Sequence, residues 1–266
     1  MIKTIFILNI EDLPNELPMF ERWYLRNHAQ EAVGGNGPWL SRYLGYRVVP
    51  PIPEALTYGY YNWRVTEIWN RSLEDMPGRG KGATISYRFP RQLEHQGLGG
   101  AKFYDTKWNG RPDFKQNVEL VVPARPTEDF LGPTFYADEK TILRWYIAIK
   151  YPDGVPVEEG EDWFLNVHSK EVMQQTGLTR YFSHRTLEIP GADSQFPWVR
   201  LIEQWYENFD GWKKSVIESP PDYTPPPWAK YPKYPFLEPY VDFCSTFLLE
   251  YPTNDFLRDI HPHIYA

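Results

Sequence analysis

Residues 23–31 read WYLRNHAQE, and residues 163–171 read WFLNVHSKE. Trp23, Leu25, His28 and Glu31 return as Trp163, Leu165, His168 and Glu171, 140 positions on. The match extends outward from there. RYLGYR (42–47) returns as RYFSHR (180–185) at an offset of 138, and RVTEIW (64–69) as RLIEQW (200–205) at 136. PTEDFL (126–131) returns as PTNDFL (252–257) at 126. The blocks are colinear and the offset drifts as loop insertions make it drift, so the chain carries two tandem copies of one unit. The period far exceeds the ~20–50 residues of a solenoid repeat. At 266 residues the chain is long enough for two compact units of ~130 residues each.

Each copy reads as strand, helix, strand, strand, helix, strand. In the first, β-forming runs cover 4–9, 43–49, 63–69 and 118–122, a helical pattern covers 17–32, and Ser72, Leu73, Glu74 and Asp75 offer a second helix start. In the second, the matching stretches are 141–150, 161–175, 181–189, 199–206, 210–217 and 243–250. The order βαββαβ describes a ferredoxin-like unit, an antiparallel sheet with both helices on one face. The bare face needs cover, and two such sheets can cover one another. The expected fold is therefore α+β, with tandem ferredoxin-like domains at 1–135 and 136–266 forming one intramolecular barrel. The copies differ most before their last strands. The first inserts a Gly-rich stretch at 78–110, and the second a Pro-rich one at 219–239 that carries Tyr223, Trp228, Tyr231, Tyr234 and Phe236. Such stretches are extended and serve either as surface wrapping or as lids over a cavity.

Composition narrows the function. Aromatic residues make up 17% of the chain, enough to fill small cores or to line pockets for rings. The net charge is −7 and no basic block occurs, which argues against nucleic acid as a partner. Cys244 is the one cysteine, so no intramolecular disulfide forms, as suits a reducing compartment. The N-terminal apolar run is too short to span a membrane and no small-residue cleavage site follows it. It reads as a first strand, and the expected location is the cytoplasm, with no membrane partner.

Two motifs carry a family resemblance. The pattern F-x-x-W-Y-x-x-x-H at Phe20–His28, with EIWNRSLED at Glu67–Asp75, resembles the EthD-like branch of the dimeric α+β barrel superfamily. The second copy carries the pair less cleanly, as WFLNVH and EQWYENFDGW. The resemblance spans nearly the whole chain. Its usual members are single domains that dimerise, so this chain resembles a fused pair that needs no second chain, although a homodimer stays open. The resemblance implies a small-molecule substrate, often phenolic or polyketide-like, and cofactor-free chemistry that ranges over cyclases, isomerases, dehydratases, decarboxylases and monooxygenases. Fold alone does not choose among these.

His28 and His168 lead the catalytic candidates, because a histidine titrating near neutrality can take or give a proton. The resemblance places this His at a cavity between helix and sheet. Strand alternation groups Arg42, Leu44 and Tyr46 on one face and Tyr43, Gly45 and Arg47 on the other. In the second copy it groups Arg180, Phe182 and His184, so His184 stands where Tyr46 does. Both types can donate a proton and bind a phenol. Arg47 and Arg185 could clamp a substrate carboxylate or pair with Glu67 and Glu203 on the next strand, whereas Arg64 and Arg200 read as structural. Glu67 with Trp69, and Glu203 with Trp205, share a strand face. Each Glu could act as an acid or orient the helix His. No motif for nucleotide, flavin or metal is present, and His261 and His263 read as a tail. No cofactor is expected. The leading functional reading is a cofactor-independent lyase, a decarboxylase or dehydratase working by His acid–base catalysis on an aromatic substrate. A cofactor-free monooxygenase or cyclase, and a non-catalytic small-molecule-binding protein, stand as alternatives.

Overall fold

The computed structural model describes residues 1–10, 13–36, 39–75, 117–132, 142–189 and 197–258. The Gly-rich stretch at 78–110 and the histidines at 261 and 263 lie outside them. Strand β1 (Ile2–Leu8) leads into α1 (Leu13–Trp23), which runs through a π turn (Tyr24–His28) into α2 (Ala29–Asn36). Strands β2 (Leu40–Arg47), β3 (Arg64–Asn70), β4 (Val118–Pro123) and β5 (Glu128–Leu131) follow. The second half repeats the order with β6 (Leu143–Ile149), α3 (Val157–Trp163), a π turn (Phe164–His168) and α4 (Ser169–Val172). It continues with β7 (Arg180–Arg185), β8 (Arg200–Tyr206) and α5 (Phe209–Lys213). A π turn (Lys214–Glu218), β9 (Phe243–Leu249) and β10 (Asn254–Asp255) complete it. Residues 72–75 form bends and a turn rather than a helix start.

The chain is α+β, with two five-stranded antiparallel sheets. Their orders are β10-β2-β3-β1-β4 and β5-β7-β8-β6-β9. Each sheet borrows its edge strand from the other half. β5, from the first copy of PTxDFL, pairs with β7, and β10, from the second copy, pairs with β2. The exchange is anchored alike on both sides. Arg185 N–H donates to Thr127 Oγ1 and Arg47 N–H to Thr253 Oγ1, each at 2.9 Å.

The sheets also meet edge to edge. Val49 N–H donates to Phe247 O, and Leu187 N–H to Val121 O, both at 2.8 Å. These residues stand at the repeat offsets of 138 and 126, so one approximate two-fold relation closes both seams. At the first seam residues 58–61 run beside β9, with Ser245 N–H donating to Gly59 O at 2.9 Å. Gly59 has φ +59°, and a Cβ there would lie 2.4 Å from Phe243 O, so the close approach requires glycine.

Central strands face apolar layers on both sides. β6 (LRWYIAI) is buried at every position. Its Tyr146 and Ala148 join Ile5, Ile7, Leu44, Tyr46, Val65 and Leu120 between the sheets. Its Leu143, Trp145 and Ile147 pack toward the helices of the second half. A matching cluster of Phe20, Trp23, Tyr24, Tyr43 and Trp63 lies between α1 and the first sheet. Alternation therefore splits each strand between an inner face, sheet on sheet, and an outer face, sheet on helix.

Candidate functional site

On the outer face of the first sheet, the π turn decides the geometry. At about 100° per residue, side chains five apart on an α-helix point ~140° away from one another. The wider turn, with Ala29 N–H bonded to Tyr24 O, brings Trp23 and His28 together, their ring centroids 4.9 Å apart. Tyr24 lies 5.3 Å from the same imidazole. Burial lowers the His28 pKa to about 4, so the ring is neutral at pH 7 and a weaker base than the near-neutral histidine expected from the sequence. Tyr24 Oη shares a 2.5 Å hydrogen bond with Thr66 Oγ1 and lies 3.4 Å from Tyr43 Oη. Burial raises the Tyr24 pKa, and the Arg64 guanidinium, 4.5 Å over its ring, opposes that rise. Phe256, just after β10, closes this cluster, 4.7 Å from Tyr43 and 5.7 Å from Tyr24.

Beside the cluster runs a groove of about 390 Å³, lined by Leu17, Pro18, Val48, Pro51, Tyr60 and Trp63, among others. Its polar end is Glu21 with Arg47. Glu21 accepts from Arg47 Nη2 at 3.0 Å and from Trp63 Nε1 at 3.0 Å. Arg64 Nη1 stands 3.6 Å from the same carboxylate.

The second half keeps the frame and changes the chemistry. Trp163 and His168 stack at 4.7 Å across the equivalent π turn, and Phe130 covers Tyr181 at 4.6 Å as Phe256 covers Tyr43. But Phe164 replaces Tyr24 and Ile202 replaces Thr66. The Tyr181 hydroxyl consequently has no hydrogen-bond partner among the described residues. The Pro-rich stretch fills the space. Tyr234 stacks on His168 at 5.6 Å and on Tyr223 at 4.0 Å, and Trp228 lies against Trp163 at 5.4 Å. Gln175 Nε2 donates to Tyr223 Oη at 2.8 Å. Burial lowers the His168 pKa to about 3.

Between the sheets sits a second polar group. Glu203 accepts from Arg144 Nε at 2.9 Å and from Trp205 Nε1 at 3.0 Å. Glu67 accepts from Trp69 Nε1 at 2.9 Å and from Tyr146 Oη at 3.3 Å. Burial works to raise the Glu203 pKa, and the charges of Arg144 and Lys3 outweigh it, so the carboxyl is held below its usual value. Arg144 lies 5.3 Å over Tyr46, whose pKa burial and Glu67 push up to about 12. His184 Nδ1 lies 3.2 Å from Arg125 O. Burial first, then Lys3, lowers its pKa to about 4.

The sequence-derived candidates thus separate into two places. Tyr46, His184, Glu67, Trp69, Glu203 and Trp205 converge inside, between the sheets. His28 and Arg47, and in the second half His168 and Arg185, lie on the outer faces. The glutamates do not orient the helix histidines, because they occupy opposite faces of the sheets. Nor do they pair with Arg47 or Arg185, whose partners are the helix residues Glu21 and Glu161. Sequence reasoning passed over Glu21 and Glu161, although they stand at the same offset of 140 as the histidines. Thr66, Lys3 and Arg144 gave no such signal. Among the described residues no group of three or more potential metal ligands occurs, and no helix is long and apolar enough to cross a membrane.

Comparison with known proteins adds the following. Residues 1–97 match the family model of the chalcone isomerase N-terminal domain. No curated protein shows significant sequence similarity to the chain. Among solved structures, an anthrone oxidase-like protein aligns over 96% of this chain and 91% of its own, at 10% identity and a TM-score of 0.41. A protein from Lactobacillus acidophilus, provisionally named a monooxygenase, aligns over 94% of each chain at 13% identity and a TM-score of 0.32. A third, from Fusobacterium nucleatum and named likewise, covers 80% of this chain and 78% of its own, at 10% identity and a TM-score of 0.29.

Proposed function

We propose that the protein is a cofactor-independent acid–base enzyme of the cyclase or isomerase type, acting on a phenolic or related aromatic small molecule, and that its working site is the outer face of the first half. The observation that carries this reading is the buried Tyr24–Thr66–Tyr43 hydroxyl cluster beside a neutral His28 and Arg64. The second half has replaced two of those three hydroxyls and filled the space with Tyr234 and Tyr223. The family matched over residues 1–97 is named for an isomerase of chalcone, an aromatic enone, and the match lies within this half.

In this reading His28 removes a proton, negative charge is held on a substrate oxygen near the arginines, and the hydroxyl cluster returns a proton. The groove takes the aromatic body, with Trp63 and Tyr60 on its walls and Arg47 at its mouth. His168 and Arg185 belong to the diverged copy, and the inner set of Tyr46, His184, Glu67, Trp69, Glu203 and Trp205 holds the sheets together. Residues 1–135 and 136–266 are then tandem ferredoxin-like, EthD-like units of one intramolecular α+β barrel in a cytoplasmic protein. Strand order and the reciprocal edge strands support that assignment. Decarboxylation or dehydration would use the same proton transfers, but the matched family's name favours ring-forming or isomerising chemistry.

The test is turnover of 2′-hydroxychalcone and related phenolic enones, followed by loss of enone absorbance with dissolved oxygen monitored in parallel. His28→Ala should lower turnover by about 10²–10⁴-fold, and His168→Ala should leave it nearly unchanged. Oxygen consumption matched to substrate loss would move the reading to a cofactor-free monooxygenase. Equal losses in the two variants, or full activity in His28→Ala, would defeat it.

A further inference from the structure

Arg64 and Arg200 hold equivalent positions, 136 residues apart. Both are buried, at 0% and 1% exposure. Both lie over an aromatic ring of the π turn, Tyr24 at 4.5 Å and Phe164 at 4.6 Å. Their hydrogen bonding differs in extent. Arg200 Nε and Nη2 donate to the two oxygens of Glu161 at 2.7 and 2.6 Å. Its Nη1 donates to Ser183 Oγ at 2.8 Å, and both terminal nitrogens reach the Glu128 carboxylate. Every nitrogen of that guanidinium is engaged, by two carboxylates and a hydroxyl.

Arg64 has lost most of this. Gly45 stands in place of Ser183 and Asn254 in place of Glu128. Nη2 donates to Asn254 Oδ1 at 2.8 Å, while Nε and Nη1 have no hydrogen-bond partner among the described residues. Glu21, the counterpart of Glu161, has swung the other way. It lies 3.0 Å from Arg47 and 3.6 Å from Arg64, whereas Glu161 lies 2.6 Å from Arg200 and 3.7 Å from Arg185. Among the described residues, the second half balances two arginines with two glutamates, and the first balances two arginines with one. A buried guanidinium with unmet donors is costly unless something supplies the missing anion.

We propose that Arg64 is the anchor for an anionic oxygen group of the ligand, a carboxylate or a phenolate, and that residues 45 and 254 set this specificity by leaving its donors open. The proposal rests on the first-half site assigned above and names the charge of what that site binds. Glu21 and Asn254 hold the places beside Arg64 that Glu161 and Glu128 take around Arg200, so the anion enters at the Glu21–Arg47 end of the groove and displaces Glu21 from between the two arginines. The aromatic body extends along the groove of Leu17, Tyr60 and Trp63.

The structure supplies its own test substitution. Asn254→Glu restores the second-half arrangement and offers Arg64 an internal carboxylate, so it should compete with the ligand without breaking the fold. Binding of two probes, 4-hydroxybenzoate for the carboxylate and 4-nitrophenol for the phenolate, is measured by tryptophan quenching and phenolate absorbance. Expected are binding of at least one probe to the wild-type chain and a loss of about tenfold or more in Asn254→Glu, together with a raised melting temperature. The probe that is lost identifies which oxygen anion the site takes. The neutral 4-hydroxybenzamide should bind weakly to both proteins. Failure of the wild-type chain to bind either probe, or equal binding to Asn254→Glu, overturns the proposal. Turnover of a phenolic enone by a chain whose probe binding ignores Asn254→Glu would sink the anchor and leave the enzymatic reading standing. Asn254-sensitive binding without any turnover would do the reverse.

Discussion

Lowering the pH from 7 to 5 should remove about 2 kcal/mol of stability through His168 alone. The ring is 5% exposed, held between Trp163 and Tyr234, and its Nδ1 has no partner among the described residues. Burial lowers its pKa to about 3, whereas the unfolded chain titrates near 6.5. Between those values the unfolded state binds a proton that the native state refuses, so stability falls as the pH falls through the unfolded pKa. At pH 7 the deficit is only ~0.2 kcal/mol. At pH 5 it reaches about 1.5 pH units, or ~2 kcal/mol at 1.36 kcal/mol per unit. His28 and His184, each lowered to about 4, should add about 2 kcal/mol apiece by the same linkage. The three together rival the ~5–15 kcal/mol of a typical domain, so the protein should be acid-labile well above the range where carboxylates protonate.

Urea unfolding at pH 7, 6 and 5, followed by tryptophan fluorescence, measures this directly. His168→Phe keeps a ring against Tyr234 and removes the titration. Relative to its own value at pH 7, it should retain about 2 kcal/mol more stability at pH 5 than the wild-type chain does. Parallel pH profiles for the two proteins would show that His168 is protonated in the native state or solvated by ordered water, and the burial argument would fall.

Three further outcomes follow from contacts that differ between the halves. Tyr24→Phe breaks the bond to Thr66 and should cost ~1 kcal/mol in urea unfolding, whereas Tyr181→Phe removes an unpartnered hydroxyl and should be neutral or stabilising. Glu161→Gln leaves one acceptor where Arg200 Nε and Nη2 had two and removes the carboxylate charge, and should cost ~1.5–3 kcal/mol, with Glu21→Gln costing clearly less by the same assay. Phe256→Ala removes a buried ring packed on Tyr43 and Tyr24 and should cost ~3 kcal/mol or more, read as a lowered melting temperature.

The strand faces were legible because a period of two leaves no choice. Tyr46 and His184 both point inward and Arg47 and Arg185 outward, as alternation along RYLGYR and RYFSHR requires. The contact between Trp23 and His28 was not legible, since helical periodicity sets residues five apart on different faces, and nothing local announces a π turn. PTEDFL and PTNDFL were visible as repeats. Their exchange between sheets was not, because ladders of two to four residues carry no pattern that names a partner. The partners of the arginines were misassigned for a related reason. A glutamate on the adjacent strand looks nearer in sequence terms, but it sits on the wrong face, and the helix carboxylates Glu21 and Glu161 meet the arginines instead.

The same asymmetry marks both layers of the molecule, and this argues that the halves have divided their tasks. Between the sheets, Arg144 of β6 is tied to Glu203 at 2.8 Å, while its counterpart on β1 is Lys3, which lies 5.3 Å over Trp69. Tyr46 faces Arg144, and its counterpart His184 feels Lys3. On the outer faces, Arg200 is saturated by Glu161 and Glu128, while Arg64 keeps two nitrogens unbonded among the described residues. The fully paired arginine lies over the ring of Phe164, and the other lies over Tyr24, whose hydroxyl is bonded to Thr66. A duplicated unit under no functional demand would drift toward the satisfied arrangement, because an unmet buried charge is costly. The first half holds the unsatisfied one, with Gly45 and Asn254 where the second half has Ser183 and Glu128. Such a burden of poorly satisfied polar groups is the cost that the proposed binding site would impose on the fold.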